Sequence, residues 1–299
     1  MKQLFNEHPR LSVATESADS EEDKTLSPAQ MPQQTPGEST CEIRFDELWP
    51  GGPRFLQSSD GFKLGTDSVL LAHFANTARV KRCIDLGSGA GVLTVLVCEK
   101  NKKLRIEGVE IQAESAVLSR QNLDANGLTD RAVIHHADLR EHRQFLEAGV
   151  YDLVVSNPPY FAENSGKSAP VNSRAIARDE RSCSLTDLCT AAGYLCRWGG
   201  SFAVVHRPER LSELFCALTR AGIEPKRLQM VCHRSNSAPS LVLVEGRRGG
   251  KPGLTIEAPL VLTRDDGSHS DIVLDIYHRT PASAESAAKS SKKKEVTTP

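Results

Sequence analysis

Lys81-Arg-Cys-Ile-Asp-Leu-Gly-Ser-Gly-Ala-Gly91 decides the fold. A short apolar run of strand length closes on Asp85-Leu86, and glycines at 87, 89 and 91 then let the chain turn sharply into a helix and approach a ligand where a Cβ would collide. The spacing G-x-G-x-G departs from the dinucleotide form, and no Lys-Ser/Thr follows, so the loop reads as a cradle for a nucleoside rather than a pyrophosphate or a nucleoside triphosphate. Glu110 ends the next apolar run, where its two carboxylate oxygens can take two ribose hydroxyls. Asp138 follows the third run and can accept from an adenine amino group, or simply cap the helix after it. The candidate cofactor-binding residues are therefore Asp85, Gly87, Gly89, Gly91, Glu110 and Asp138.

Outward from this loop, strand-length apolar runs alternate with stretches of helical period, the pattern of an α/β fold with a mostly parallel sheet and helices on both faces. Strands are expected at 81–86, 105–110, 131–135, 151–156 and 200–206, with helices at about 90–100, 112–126, 140–148, 184–197 and 208–221. Asn126-Gly127 supplies a helix stop. Two further apolar runs at 226–232 and 240–246, separated by a polar loop, suggest an antiparallel hairpin at the sheet edge and complete a seven-stranded count. Residues 1–40 mix Ser, Thr, Glu, Gln and Pro with few large apolar side chains and read as a disordered leader; 280–299, with Lys292-Lys293-Lys294, read as a disordered basic tail around a single domain at 41–279.

The second informative stretch is Asn157-Pro-Pro-Tyr160, directly after the fourth strand run. Consecutive prolines end the ladder and leave the Asn157 side chain and the Pro158 carbonyl free to face a ligand. Two acceptors there would grip both N–H bonds of a planar amino group, whose lone pair is otherwise delocalised, and aim it at an electrophile without a strong base. Tyr160 offers a ring for stacking. Asn157, Pro158 and Tyr160 are the candidate catalytic residues.

Taken together the loop, the acidic strand ends and the clamp resemble the class I S-adenosylmethionine-dependent methyltransferases, which implies a Rossmann-like fold, S-adenosylmethionine as cofactor and a planar NH2 as acceptor. Three flanking segments narrow the likeness: Gln57 to Ala72, Val205-His206-Arg207-Pro208-Glu209-Arg210-Leu211, and Glu245 to Leu254. Over about 43–278 these resemble the bacterial tRNA1(Val) (adenine-N6)-methyltransferase family, which implies as partner the anticodon stem-loop of a tRNA, modified at the adenosine adjoining the anticodon. The clamp alone leaves other owners open: a release-factor glutamine, a ribosomal guanine N2, or a nucleotide-binding scaffold that transfers nothing.

Lys167, Arg174 and Arg178, with Arg181, lie in a polar segment after the clamp and are candidates for substrate phosphates. Arg247, Arg248 and Lys251 flank glycines that would let an RNA backbone come near. The net charge is −1, yet residues 1–47 carry ten acidic and four basic side chains while 197–251 carry four acidic and ten basic. Eight cysteines without a C-x-x-C pair or zinc-like spacing read as reduced core residues and no metal site. No apolar run reaches membrane-span length, so a cytoplasmic protein without a membrane partner is expected.

Overall fold

The computed structural model describes residues 45–56, 65–159 and 183–278. Its centre is β3 (Arg82–Leu86), flanked in parallel by β4 (Arg105–Glu110) and β6 (Tyr151–Ser156). β5 (Ala132–His136) lies beyond β4, and β7 (Cys196–His206) lies beyond β6, all parallel. β8 (Ile223–Cys232) and β9 (Pro239–Arg248) form the hairpin, with β9 inserted antiparallel between β7 and β8. Among the described residues the sheet carries nine strands, the expected seven and two more. The additional two are two-residue strands, β10 (Thr255–Ile256) and β11 (Leu260–Val261), both parallel to β8. A separate antiparallel pair, β1 (Phe45–Glu47) with β2 (Arg54–Leu56), packs as its own ribbon.

One face of the sheet is covered by α1 (Thr66–Phe74), α2 (Val92–Lys100) and α3 (Ala113–Ala125). The other is covered by α4 (Leu185–Leu195) and α5 (Leu211–Arg220), whereas α6 (Asp271–Ile276), near the end of the described chain, buries Ile276 on the α1 side. α2 is buried along Val92–Cys98, so it shows no amphipathic stripe; Thr94 is the polar residue in that run. α1 was not expected from the sequence, because Val69, Leu70, Leu71, Ala72 and Phe74 are buried in an almost continuous run without helical period and it lacks the glycine loop that announced α2. The Lys100 ammonium fixes its end by donating to the carbonyls of Ala72, His73 and Ala75 at 3.0, 2.6 and 2.6 Å.

The helix expected at 140–148 is a 3-10 turn, Leu139–Gln144. Gly149 N and Val150 N donate to Tyr194 O and Leu195 O at the end of α4, and Gly149 at φ +67° turns the chain toward β6, so the segment is drawn out of helical register. The stop after α3 falls where expected, with Asn126 as C-cap and Gly127 at φ +62°. β7 starts four residues earlier than expected, at Cys196, through an irregular stretch before Ser201. The leader at 1–40 and the tail at 280–299 lie outside the described residues.

Strand order reverses at β3. The chain runs from β3 outward through β4 to β5, then returns to build β6 and β7 on the other side, and this reversal opens a crevice at the carboxyl ends of β3 and β6. Asn122 of α3 stitches the crevice wall together. Its Oδ1 accepts from Leu56 N at 2.8 Å and its Nδ2 donates to Ala90 O, inside the glycine loop, at 2.8 Å. Asn122→Ala would leave both groups buried without their partner. A loss of about 2 to 3 kcal/mol in unfolding free energy is expected from chemical denaturation, and an unchanged midpoint would contradict this linkage.

Candidate functional site

The loop after β3 is shaped by three positive φ angles, +75° at Gly87, +53° at Gly89 and +80° at Gly91. A Cβ at Gly87 or Gly89 would enter open space, so these two are glycines for their dihedrals. At Gly91 the collision foreseen from the sequence is real but lies within the protein, since a Cβ would sit 2.4 Å from Ser119 Oγ on α3. Gly87 N and Ser88 N donate to Val109 O at 2.9 and 3.0 Å, which pins the loop to β4.

Glu110 is 6% exposed and holds the loop's far side. Oε2 accepts from Gly89 N at 2.7 Å and Oε1 from Gln112 N at 2.8 Å. A carboxylate oxygen has two lone pairs, so this bonding fixes the rotamer while keeping acceptor capacity for hydroxyls. Ile111 follows, 39% exposed, with His136 Nε2 donating to its carbonyl at 3.1 Å. It was missed in the sequence because one apolar residue after a strand carries no pattern.

Asp85 lies beneath the loop, 1% exposed. Oδ2 accepts from Thr94 Oγ1 at 2.7 Å, whereas Oδ1 is buried without a hydrogen-bond partner among the described residues. Burial pushes its carboxyl up to about 7, with the nearby Glu110 charge adding to the rise and the Thr94 hydrogen bond opposing it. A buried acid in that condition fits a ligand bearing positive charge. Asp138 is placed differently. Its side chain caps the 3-10 turn through Arg140 N at 2.9 Å and makes a two-pronged ion pair with the Arg140 guanidinium, which holds its carboxyl below the usual range. Capping is therefore its observed work, and contact with an adenine amino group would require Arg140 to share it.

Across the crevice, Ser156 Oγ donates to Leu86 O at 2.6 Å and ties the end of β6 to β3. Asn157 follows, with Nδ2 donating to Ser68 Oγ on α1 at 2.9 Å. That bond fixes the amide nitrogen on the α1 side. Pro158 is described and half-buried. Tyr160, Lys167, Arg174, Arg178 and Arg181 lie outside the described residues. Arg247, Arg248 and Lys251 are on the opposite edge of the sheet, where β9 ends and β7 begins. His206, at the end of β7, accepts from Arg207 N at Nδ1 and is pushed down to about 4 by burial, so it is neutral at pH 7.

Among the described residues, no cluster of His, Cys, Asp or Glu is arranged to hold a metal ion, and no helix is long and apolar enough to cross a membrane. A family profile described as methyltransferase small domain matches residues 56–182. A Tolumonas auensis protein named tRNA1(Val) (adenine(37)-N6)-methyltransferase is 30% identical over 215 residues, covering 72% of this chain and 87% of that relative. A Cronobacter sakazakii protein of the same name is 32% identical over 186 residues, covering 61% and 74%. Among solved structures, a predicted O-methyltransferase from Agrobacterium tumefaciens superposes with a TM-score of 0.59 at 22% identity, over 72% of this chain and 97% of that one, which shows a shared fold.

The raised carboxyl of Asp85 has a thermodynamic signature. Between the ordinary value of 3.8 and about 7 the folded state holds this proton and the unfolded state does not, so the Asp85 contribution to stability is lost as pH rises across that window. Asp85→Asn should therefore unfold at higher denaturant than the parent at pH 8, by a few kcal/mol, with the gap closing toward pH 4. Parallel stability curves for the two proteins would contradict it.

Proposed function

The chain belongs to the tRNA1(Val) (adenine(37)-N6)-methyltransferase family, and from that membership we propose that it transfers a methyl group in the crevice between β3 and β6 to N6 of the adenosine adjoining the anticodon of a tRNA. It is an S-adenosylmethionine-dependent methyltransferase acting on tRNA. The single observation that carries the reading of the site is the pairing of two loops across one crevice, the glycine loop braced by Glu110 and the Asn157-Pro158 turn braced by Ser68.

S-adenosylmethionine supplies an electrophilic methyl on a positively charged sulfur. The orphaned Oδ1 of buried Asp85 and the open space over Gly87 and Gly89 fit a cationic ligand, with Glu110 taking ribose hydroxyls and Ile111 offering an apolar surface to a flat ring. On the other side Asn157 Oδ1 and the Pro158 carbonyl accept the two N–H bonds of the adenine amino group. Holding both bonds draws the nitrogen toward a tetrahedral shape and directs its lone pair at the methyl. The proton turns acidic once the new bond forms, so water suffices to carry it away. Tyr160 stacks on the base, and Lys167, Arg174 and Arg178 meet phosphates of the anticodon stem-loop. The protein works in the cytoplasm, where its tRNA is.

Incubation with labelled S-adenosylmethionine and, in parallel, bulk tRNA, ribosomal RNA and a release factor tests this directly. Label is expected on tRNA as N6-methyladenosine; label only on ribosomal RNA or the release factor would overturn it. Asn157→Ala should lower turnover by about 100-fold or more while the cofactor dissociation constant stays put. Ser68→Ala should lower kcat on the order of tenfold, with Ser68→Thr restoring it and cofactor affinity unmoved in both. Wild-type kcat in Ser68→Ala would remove Ser68 from the account.

A further inference from the structure

The strongest surface feature outside the crevice is on the amino edge of the sheet. Tyr151 pairs with Cys196 and Leu153 with Ser201, so residues 197–200 bulge out of register, and Trp198 stands on the bulge 75% exposed. Its indole lies against Gly249, φ +66°, where a Cβ would sit 2.3 Å from the ring. A bare backbone under an aromatic plane leaves the other plane outward.

Around this ring are cations held by main-chain carbonyls. Arg247 Nε donates to Gly199 O at 3.0 Å, Arg248 Nη1 to Tyr194 O at 3.3 Å and to Cys196 O, and Lys226 Nζ to Lys251 O at 3.0 Å. Two carboxylates stand nearby: Asp152 pairs with Arg197 Nε at 2.6 Å, and Glu224 is the strand partner of Arg247. Carbonyl partners position a guanidinium or an ammonium without neutralising it. Arg197 is paired with Asp152, but among the described residues Arg247, Arg248, Lys226 and Lys251 make no ion pair, and rigid positive charge beside an exposed aromatic face is what a phosphate backbone with an accessible base requires.

We propose that Trp198, Arg197, Arg247, Arg248, Lys226 and Lys251 form a second RNA-binding surface, which grips a part of the tRNA remote from the modified base. This rests on the tRNA reading above. Trp198 lies near the amino end of β7 and His206 at its carboxyl end, where the crevice opens, so the two surfaces lie at opposite ends of the sheet. Trp198 stacks on an unpaired base while the cations meet the phosphates on either side. The surface therefore selects for the folded whole of the substrate, and the crevice for its target atom.

The experiment compares wild type, Trp198→Ala and the double variant Arg247→Glu, Lys251→Glu by fluorescence anisotropy with a full-length tRNA transcript over a salt series, and by steady-state transfer to that transcript and to its excised anticodon stem-loop. Lys251 and Arg247 are both exposed, and melting temperature checks each fold. The dissociation constant for full-length tRNA should rise about tenfold in both variants, and the double variant's salt slope should fall by about one per lost phosphate contact. kcat at saturating tRNA, cofactor affinity and all constants for the excised stem-loop should stay as in wild type. Unchanged binding and salt slope overturn the surface, as does a Trp198→Ala protein whose effect is confined to self-association in size-exclusion chromatography. Wild type that binds tRNA without methylating it overturns the proposed activity instead, and the surface then stands or falls on the binding data.

Discussion

Both halves of the site hang from β3, the central strand at which the strand order reverses. Because the chain leaves it first toward β4 and only later returns to β6, no connection among the described residues crosses the carboxyl ends of β3 and β6, and a crevice is left there. Everything that follows is a matter of stiffening its two walls. On one wall, Val109 O and Glu110 receive three consecutive loop N–H groups, from Gly87, Ser88 and Gly89. On the other, the Ser156 hydroxyl binds Leu86 O and sets the point from which Asn157 departs. The loops therefore move with the sheet, the most rigid part of the molecule.

The second wall depends on α1. This helix has few polar surfaces with which to orient itself, and it is located by what grips its end, three carbonyls on the Lys100 ammonium and the Arg227 guanidinium 4.3 Å from the centre of the Phe74 ring. Burial lowers Lys100 to about 8, which means the charge is costly there and the carbonyls offset part of that cost. The distant consequence is the position of Ser68 at the helix start and, through it, the rotation of the Asn157 amide. Lysine at the end of α2 thus bears on the geometry of a turn that it does not touch.

The five central parallel strands, the helices between them and the hairpin were legible because each run has its own length and punctuation. What the sequence hid has physical reasons: α1 presents an almost continuous apolar run with no period to read, and bonds such as Ser68 to Asn157 or Asn122 to Ala90 join residues 89 and 32 positions apart. Glycine spacing announced the loop, yet gave the wrong obstacle at Gly91, where Ser119 rather than a ligand excludes a side chain. Asp138 was open to two readings at the outset, and Arg140, two residues on, fills its carboxylate. The exposed Trp198 was invisible because a tryptophan in an apolar stretch looks like core until the bulge turns it outward.

A carboxyl near 7 ordinarily invites assignment as a general base. Asp85 does not fit that office: it is 1% exposed, one oxygen is taken by Thr94, and it lies under the loop rather than beside the Asn157 turn. His206, the imidazole at the end of the neighbouring strand, is neutral but far too weak a base at about 4 to draw a proton from an amine. Neither group needs to. An amino nitrogen held by two acceptors would attack the sulfonium methyl with its lone pair, release the neutral thioether and become cationic, and its proton is then shed to water without help, so the site invests its order in orientation and in placing negative charge under a cationic donor. The raised carboxyl of Asp85 is then the mark of a binding site for positive charge, and its shift should reverse when that charge arrives.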